Sequence, residues 1–239
     1  AVSVARNSDV VLVAVGEDFN WSGEAACRTD IRLPEAQRQL LKALKETGKP
    51  IALIVLSGRP LDLSWEDSQF EAILQAWFPG REGGNGIADV IAGEYNPSGR
   101  LVMSFPRNVG QIPIYYNHKN TGRPVDPANP DVDYKSRYLD VATTPLYPFG
   151  YGLSYTTYTI SDVKMDKSTM KSKNDKITVS ATVENTGSMD GEMVVQLYVR
   201  DLVGSVTRPV KELKGFQKVA LKAGENKQIA FELSSDDLA

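Results

Sequence analysis

Three carboxylates around the exit of one apolar strand offer this chain its best chance of chemistry: Glu17, Asp18 and Glu24. A loop carboxyl can give a proton to a departing oxygen and take one back, provided its surroundings favour the protonated form. Glu24 is the first candidate. It follows Ser22-Gly23, stands near Trp21 and lies four residues ahead of Arg28. An indole at that place can keep water from a carboxyl and can also stack on a sugar ring. Glu17 is the runner-up, and Asp18 stands beside it. The plain alternative is an exposed or salt-bridged loop glutamate, the commonest state of that residue.

The neighbours divide in the same way. Arg28 and Asp30 are read as an ion pair that holds the loop, although an arginine beside a substrate hydroxyl would also fit. Cys27 has only Arg28 nearby to stabilise a thiolate, so it reads as a small packing residue. Arg59, in Ser57-Gly-Arg-Pro60, follows the next strand and reaches the same sheet edge. It is either a ligand contact or the solvent-facing arginine of a tight turn. Trp21 and Arg59 are therefore the candidate substrate contacts. Gly80-Arg-Glu-Gly-Gly-Asn-Gly86 lacks the Lys-Ser/Thr ending of a phosphate loop and the spacing of a dinucleotide fingerprint, which excludes nucleotide binding. His118, the single histidine, lies near Tyr115, Tyr116, Lys119 and Arg123 without other metal ligands, and reads as part of a solvated loop or one packed on a partner. No metal or cofactor is expected, because a metal enzyme built on Glu17 and Asp18 would need a histidine or carboxylate cluster at ligand spacing.

The elements that must hold these residues alternate over residues 1–105. Asp9-Val-Val-Leu-Val-Ala-Val15 is a β-branched run, predicted as a central parallel strand covered on both faces. Loops leaving the carboxyl ends of such strands are where ligands meet open α/β sheets. Ala1 to Ser8 reads as the last turns of a helix that starts earlier. Pro34 opens a helix with apolar Ala36, Leu40, Leu41 and Leu44 that ends at Gly48. Ile51 to Leu56 is a second buried strand, and Phe70, Ile73, Leu74 and Trp77 mark the apolar face of a further helix. Ile87 to Ile91, between Gly83-Gly84 and Gly93, is helical again. Strand and helix in alternation predict a parallel α/β sheet.

From Asn96 the chain turns irregular, and residues 106–155 read as a linker or wrapping segment carrying Pro106, Pro113, Pro124, Pro127, Pro130, Pro145 and Pro148. Residues 156–239 are all β. Strands are predicted at Lys176–Glu184, Met193–Val199, Phe216–Leu221 and Lys227–Leu233, with turns at Asn185-Thr-Gly187 and Ala223-Gly-Glu-Asn226. Their spacing points to an immunoglobulin-like sandwich. Such a sandwich takes about seven strands, so the domain is predicted incomplete.

With 239 residues, 41% of them hydrophobic, there is room for one large or two ordinary domains with real cores. A net charge of −3 with both signs interspersed argues against nucleic acid or anionic lipid as a partner. No apolar run approaches the roughly 20 residues of a membrane span, and no signal peptide is recognisable. The lone cysteine excludes an internal disulfide framework.

Several segments together resemble the glycoside hydrolase family 3 β-glucosidases, among them those of the Gram-negative periplasm. They are Val13-Ala-Val-Gly-Glu17, Ser22-Gly-Glu24 with Arg28-Thr-Asp30, Ser57-Gly-Arg-Pro60, Trp77-Phe-Pro-Gly80, Tyr95-Asn-Pro-Ser-Gly-Arg100 and Tyr147-Pro-Phe-Gly-Tyr-Gly-Leu-Ser-Tyr155. The tail, with Arg208-Pro-Val210 and Leu213-Lys-Gly-Phe216, is similar to the family's fibronectin type III-like domain. The resemblance implies a (β/α)8 barrel carrying an aspartate nucleophile, absent here, and then the later part of an α/β-sandwich domain (1–105), the linker and a truncated fibronectin type III-like domain (156–239). It places the family's acid/base glutamate at Glu24 and implies a β-glucoside or oligosaccharide substrate, a periplasmic location and an inactive isolated chain. The pattern departs after Glu24, where many members have Gly-Tyr or Gly-Asp and this chain has Ala25-Ala26-Cys27. Unpaired strand edges of a truncated sandwich would favour self-association, a homodimer included. The competing reading is a non-catalytic carbohydrate-binding or scaffold module.

Overall fold

The computed structural model describes residues 1–126, 128–130 and 132–238. Pro127 of the irregular segment lies outside them, as do Asp131 and Ala239. The chain forms two compact units, one of Ala1–Asp89, Met103–Ile114 and Tyr138–Pro148, the other of Val90–Val102, Tyr115–Arg137 and the residues from Phe149 onward.

The first unit runs through α1 (Val2–Arg6), β1 (Val11–Gly16), α2 (Glu35–Lys45), β2 (Ile51–Leu56), α3 (Ser64–Gln69) and β3 (Ala72–Gln75) into α4 (Gly83–Ala92), within which the boundary falls. The three strands form a parallel sheet in the order β1-β2-β3. Alternate residues Val13, Val15, Ile51, Leu53 and Val55 are buried, as are Leu41 and Leu44 of α2 and the connecting Leu61 and Leu63.

Two expectations fail here. Among the described residues β1 is an edge strand and not a central one covered on both faces: there it pairs with β2 alone, and Leu12 on its second face is 51% exposed. That face carries Leu12, Ala14, Ala52, Ile54, Ala72 and Leu74 side by side in register. A continuous apolar run looks the same whether or not its second face finds cover among the described residues. The helix expected around Phe70 to Trp77 is also absent. α3 stops at Gln69, and Ala72–Gln75 pairs with Ala52–Val55 of β2. Over so short a run a helical pattern cannot be told from a buried strand, and the open edge of β2 needs its backbone groups paired.

Glu66 on α3 is buried, with Arg38 Nε 3.5 Å from its Oε1 in an ion pair without a hydrogen bond. Burial pushes its carboxyl above the ordinary value of 4.5, and the pull of Arg38 only partly opposes this. A group that holds its proton more tightly when folded favours the native state below its unfolded value and loses that contribution as pH rises through the folded one. Glu66→Gln should therefore remove a decline in unfolding free energy that begins near pH 4.5 and continues upward. Parent and variant curves of equal slope in denaturant titrations across that range would contradict this.

The second unit holds β4 (Tyr158–Met165), β5 (Lys176–Asn185), β6 (Gly191–Val199), β7 (Glu212–Leu221) and β8 (Asn226–Ser234). One antiparallel sheet has the order β4-β5-β8, and β6 pairs antiparallel with β7. Val183, Val195, Val219, Leu221 and Ile229 form the core between them, with Tyr158, Ala181, Met193 and Phe231 packed on it. Asn185, fully buried, fixes the predicted turn. Its Oδ1 accepts from Thr156 Oγ1 at 2.7 Å and from the Gly187 N–H at 3.1 Å, while its Nδ2 donates to the Met189 carbonyl at 2.8 Å. The irregular segment is pinned by backbone bonds and stacking within each unit, as where Phe105 N–H meets the Tyr147 carbonyl at 2.8 Å in the first and Tyr116 stacks on Phe149 at 4.4 Å in the second. Among the described residues, no helix is long and apolar enough to cross a membrane.

Candidate active site

β1 ends at Gly16, where an added Cβ would collide with the Leu56 carbonyl oxygen and φ is +149°. Only glycine lets β1 leave the sheet this close to β2. The side chain of Gln37, on α2, closes the exit by accepting from the Gly16 N–H at 2.9 Å and donating to its carbonyl at 3.1 Å. The next residue, Glu17, then turns inward.

The Glu17 side chain is fully buried. Its Oε1 meets Arg28 Nη1 at 2.9 Å and Arg59 Nε at 3.0 Å, and its Oε2 accepts from the Gly58 N–H at 3.3 Å. A carboxylate removed from water needs such partners to stay charged. Arg59 continues past Glu17, and its Nη2 donates to the carbonyls of Trp21 and, at 2.9 Å, of Ala26. Arg28 lies over the Trp21 ring with its guanidinium carbon 4.1 Å from the centroid, a cation–π contact. The turn that aims Arg59 is set by Ser57 Oγ, which donates to the Arg59 carbonyl at 2.9 Å and accepts from Gln75 Nε2 at 3.0 Å. Gly58 has no room for a Cβ, which would strike Ser22 Oγ and Phe78.

Of the candidate carboxylates, the structure commits two to the scaffold. Glu17 serves the arginines. Asp18 caps the short 3-10 turn Phe19–Trp21 by accepting from the Asn20 N–H at 2.9 Å. Glu24 alone is free: it is exposed, and among the described residues its carboxylate has neither an ion pair nor a hydrogen bond. Gly23 and Ala25 flank it with φ of +136° and +58°. Ala25 thus occupies the left-handed region, which costs a residue with a Cβ about 1 kcal/mol. The two reversals put Glu24 at the crest of the loop.

Three further expectations need correction. Arg28 does not pair with Asp30. Asp30 is held by Arg32, at 2.9 Å from Nε and 2.7 Å from Nη2, and this fork holds its carboxyl well below the usual range. Arg28 instead answers the stronger demand of a buried charge. Cys27 is exposed rather than packed, on a loop whose Trp21 and Ala26 carbonyls are held by Arg59. Arg59 is not solvent-facing, since its donors are engaged by Glu17 and the loop. Gln37, Ser57 and Gln75 support the site through contacts that carry no signal in the sequence. His118 lies in the second unit, exposed, with Nδ1 3.1 Å from the Lys119 carbonyl.

The arrangement offers one free carboxylate on a braced loop. It can transfer protons to and from a ligand that approaches the crest, and among the described residues of this loop no second carboxylate is free for attack on carbon.

Comparison with known proteins gives this geometry a setting. The sequence profile of the glycosyl hydrolase family 3 C-terminal domain matches residues 1–155, and that of the fibronectin type III-like domain matches residues 193–239. A periplasmic beta-glucosidase of Salmonella typhimurium is 54% identical over 238 residues, covering 100% of this chain and 31% of the relative. A beta-xylosidase of Formosa agariphila is 41% identical, covering 100% of this chain and 32% of the relative. The crystal structure of a beta-glucosidase from Listeria innocua in complex with isofagomine superimposes with a TM-score of 0.94 at 45% identity, over 99% of this chain and 33% of that one. The chain therefore spans about a third of the length of the proteins it matches.

Proposed function

The chain belongs to glycosyl hydrolase family 3, and from that premise we propose that it supplies the acid/base residue, Glu24, of a retaining exo-acting β-glucosidase. The single observation that carries this reading is that Glu24 is the one carboxylate of the loop left free, at its crest, while Glu17 and Asp18 are consumed by the scaffold. The relatives named as beta-glucosidases support the substrate class, terminal β-D-glucosyl residues.

In the first step Glu24 gives its proton to the glycosidic oxygen as the bond to the anomeric carbon breaks. An aspartate from a barrel domain outside these residues attacks that carbon and forms a glycosyl ester. In the second step Glu24 takes a proton from water, whose oxygen displaces the aspartate and restores the starting configuration. Such a pair of carboxyls stands about 5–5.5 Å apart. Trp21 borders the sugar, and Arg59 acts from behind the loop. Residues 1–105 form the later part of the α/β domain, 106–155 the linker and 156–239 the fibronectin type III-like domain. The periplasmic relative supports the same location for this protein.

Without the nucleophile the chain alone should release no aryl alcohol from an aryl β-glucoside above the buffer rate. Turnover that disappears in Glu24→Ala would refute the division of labour. Sugar binding without turnover that Glu24→Ala leaves unchanged would favour a carbohydrate-binding module instead.

A further inference from the structure

Among the described residues, the loop that carries Glu24 is closed by one guanidinium from just beyond β2. Trp21 lies before Glu24 and Ala26 after it, and both carbonyls accept from the same atom, Nη2 of Arg59. Arg59 comes from the end of β2, and its Nε is fixed by the buried Glu17 at the end of β1. Glu17 in turn holds Arg28, whose guanidinium covers the Trp21 ring. Both ends of the crest are thus tied through one planar guanidinium to the two strands beneath it.

We propose that Arg59 is the positioning residue for Glu24, acting as a clamp that fixes the loop Trp21–Ala26 rather than as a ligand contact. The inference rests on the reading of Glu24 as acid/base, but the clamp itself is a statement about the loop. The Ala25 conformation gives it a physical reason. A left-handed alanine relaxes toward other conformations unless its surroundings hold it, and the carbonyl next to it, that of Ala26, is one of the two that Arg59 holds. An ammonium cannot reproduce the fork. Lysine could keep the charge beside Glu17 but, as a point donor on a flexible stem, could not span two carbonyls and a carboxylate in one plane.

Hydrogen exchange by mass spectrometry on the whole chain tests this without any substrate. In Arg59→Met, the amides of Trp21 and Ala26, which donate to the Asp18 and Gly23 carbonyls within the held loop, should exchange about tenfold faster or more, the scale of one charge-assisted bond lost. Peptides from β2 and from β5 should be unchanged. Arg59→Lys should show most of the same local increase while retaining the parent's thermal unfolding midpoint more closely, and Glu24→Gln should leave the loop amides as in the parent. Unchanged loop exchange in both Arg59 variants would overturn the clamp. So would faster exchange throughout the first unit in Arg59→Lys, or failure of both variants to fold, because the arginine would then serve the fold at large. If the local increase appears but Glu24 proves dispensable for glycoside hydrolysis in a complete enzyme, the clamp stands and the acid/base assignment falls.

Discussion

Exchanged for the matching third of the Salmonella typhimurium relative, the chain should yield an active β-glucosidase whose Glu24→Ala variant loses about 10²–10⁴-fold in kcat/KM on alkyl and oligosaccharide glucosides, the usual contribution of a positioned proton donor. The size of the loss should depend on the leaving group. An alkoxide cannot depart without a proton, whereas an activated phenolate can, so cleavage of the first bond to a nitrophenyl glucoside should suffer least. The second step still needs Glu24 to take a proton from water. A small anion that needs no deprotonation, such as azide, should therefore restore turnover in Glu24→Ala and give a β-glucosyl azide. Equal losses on both classes of glucoside, with no rescue by azide, would assign Glu24 to the structure of the loop and not to proton transfer.

Glu17→Ala should have the largest effect on stability. The substitution leaves Arg28 and Arg59 facing each other without their shared carboxylate, with side chains only 18% and 22% exposed. Removing one partner of a buried ion pair costs about 3–5 kcal/mol. Here we expect about 3 kcal/mol, the low end, because both guanidiniums keep some contact with water and Arg59 keeps its carbonyl acceptors. Trp21, Trp65 and Trp77 all lie in the first unit, so tryptophan fluorescence in a denaturant titration follows this unit alone. The loss should persist at high salt, since buried pairs are screened weakly. A change below about 1 kcal/mol, the level of an exposed ion pair, would show that the network is ornamental to folding.

Much of this arrangement was legible in the residues. The β-branched runs at Asp9–Val15 and Ile51–Leu56 contain most of β1 and all of β2, and Pro34 and Gly48 bracket α2. Two parallel strands whose exits lie together bring the loop of Glu24 and the turn of Arg59 to one sheet edge. What escaped was the choice among partners. Asp30 has Arg28 and Arg32 equally close in sequence, and the decision is made by Glu17, a buried carboxylate on a different stretch of the loop, which claims Arg28. Gln37 sits on the polar side of a helical pattern, and only the fold shows its amide meeting Gly16. The segment after α3 failed for a different reason. Phe70, Ile73, Leu74 and Trp77 carry helical spacing, yet a short apolar run yields to a neighbouring strand that has backbone groups to pair.

The paired faces of the parallel sheet have a consequence for strand alignment. Leu12, Ala14, Ala52, Ile54, Ala72 and Leu74 stand in register on one face, with Val13, Val15, Leu53 and Val55 on the other. A slip of one residue would exchange the two sets. Both are apolar, so hydrophobicity alone tells the two alignments apart weakly. The bonds at the strand exits, Gln37 to Gly16 and Glu17 to the Gly58 N–H, are met only in the native register, so the residues that brace the Glu24 loop also fix the alignment of the strands beneath it.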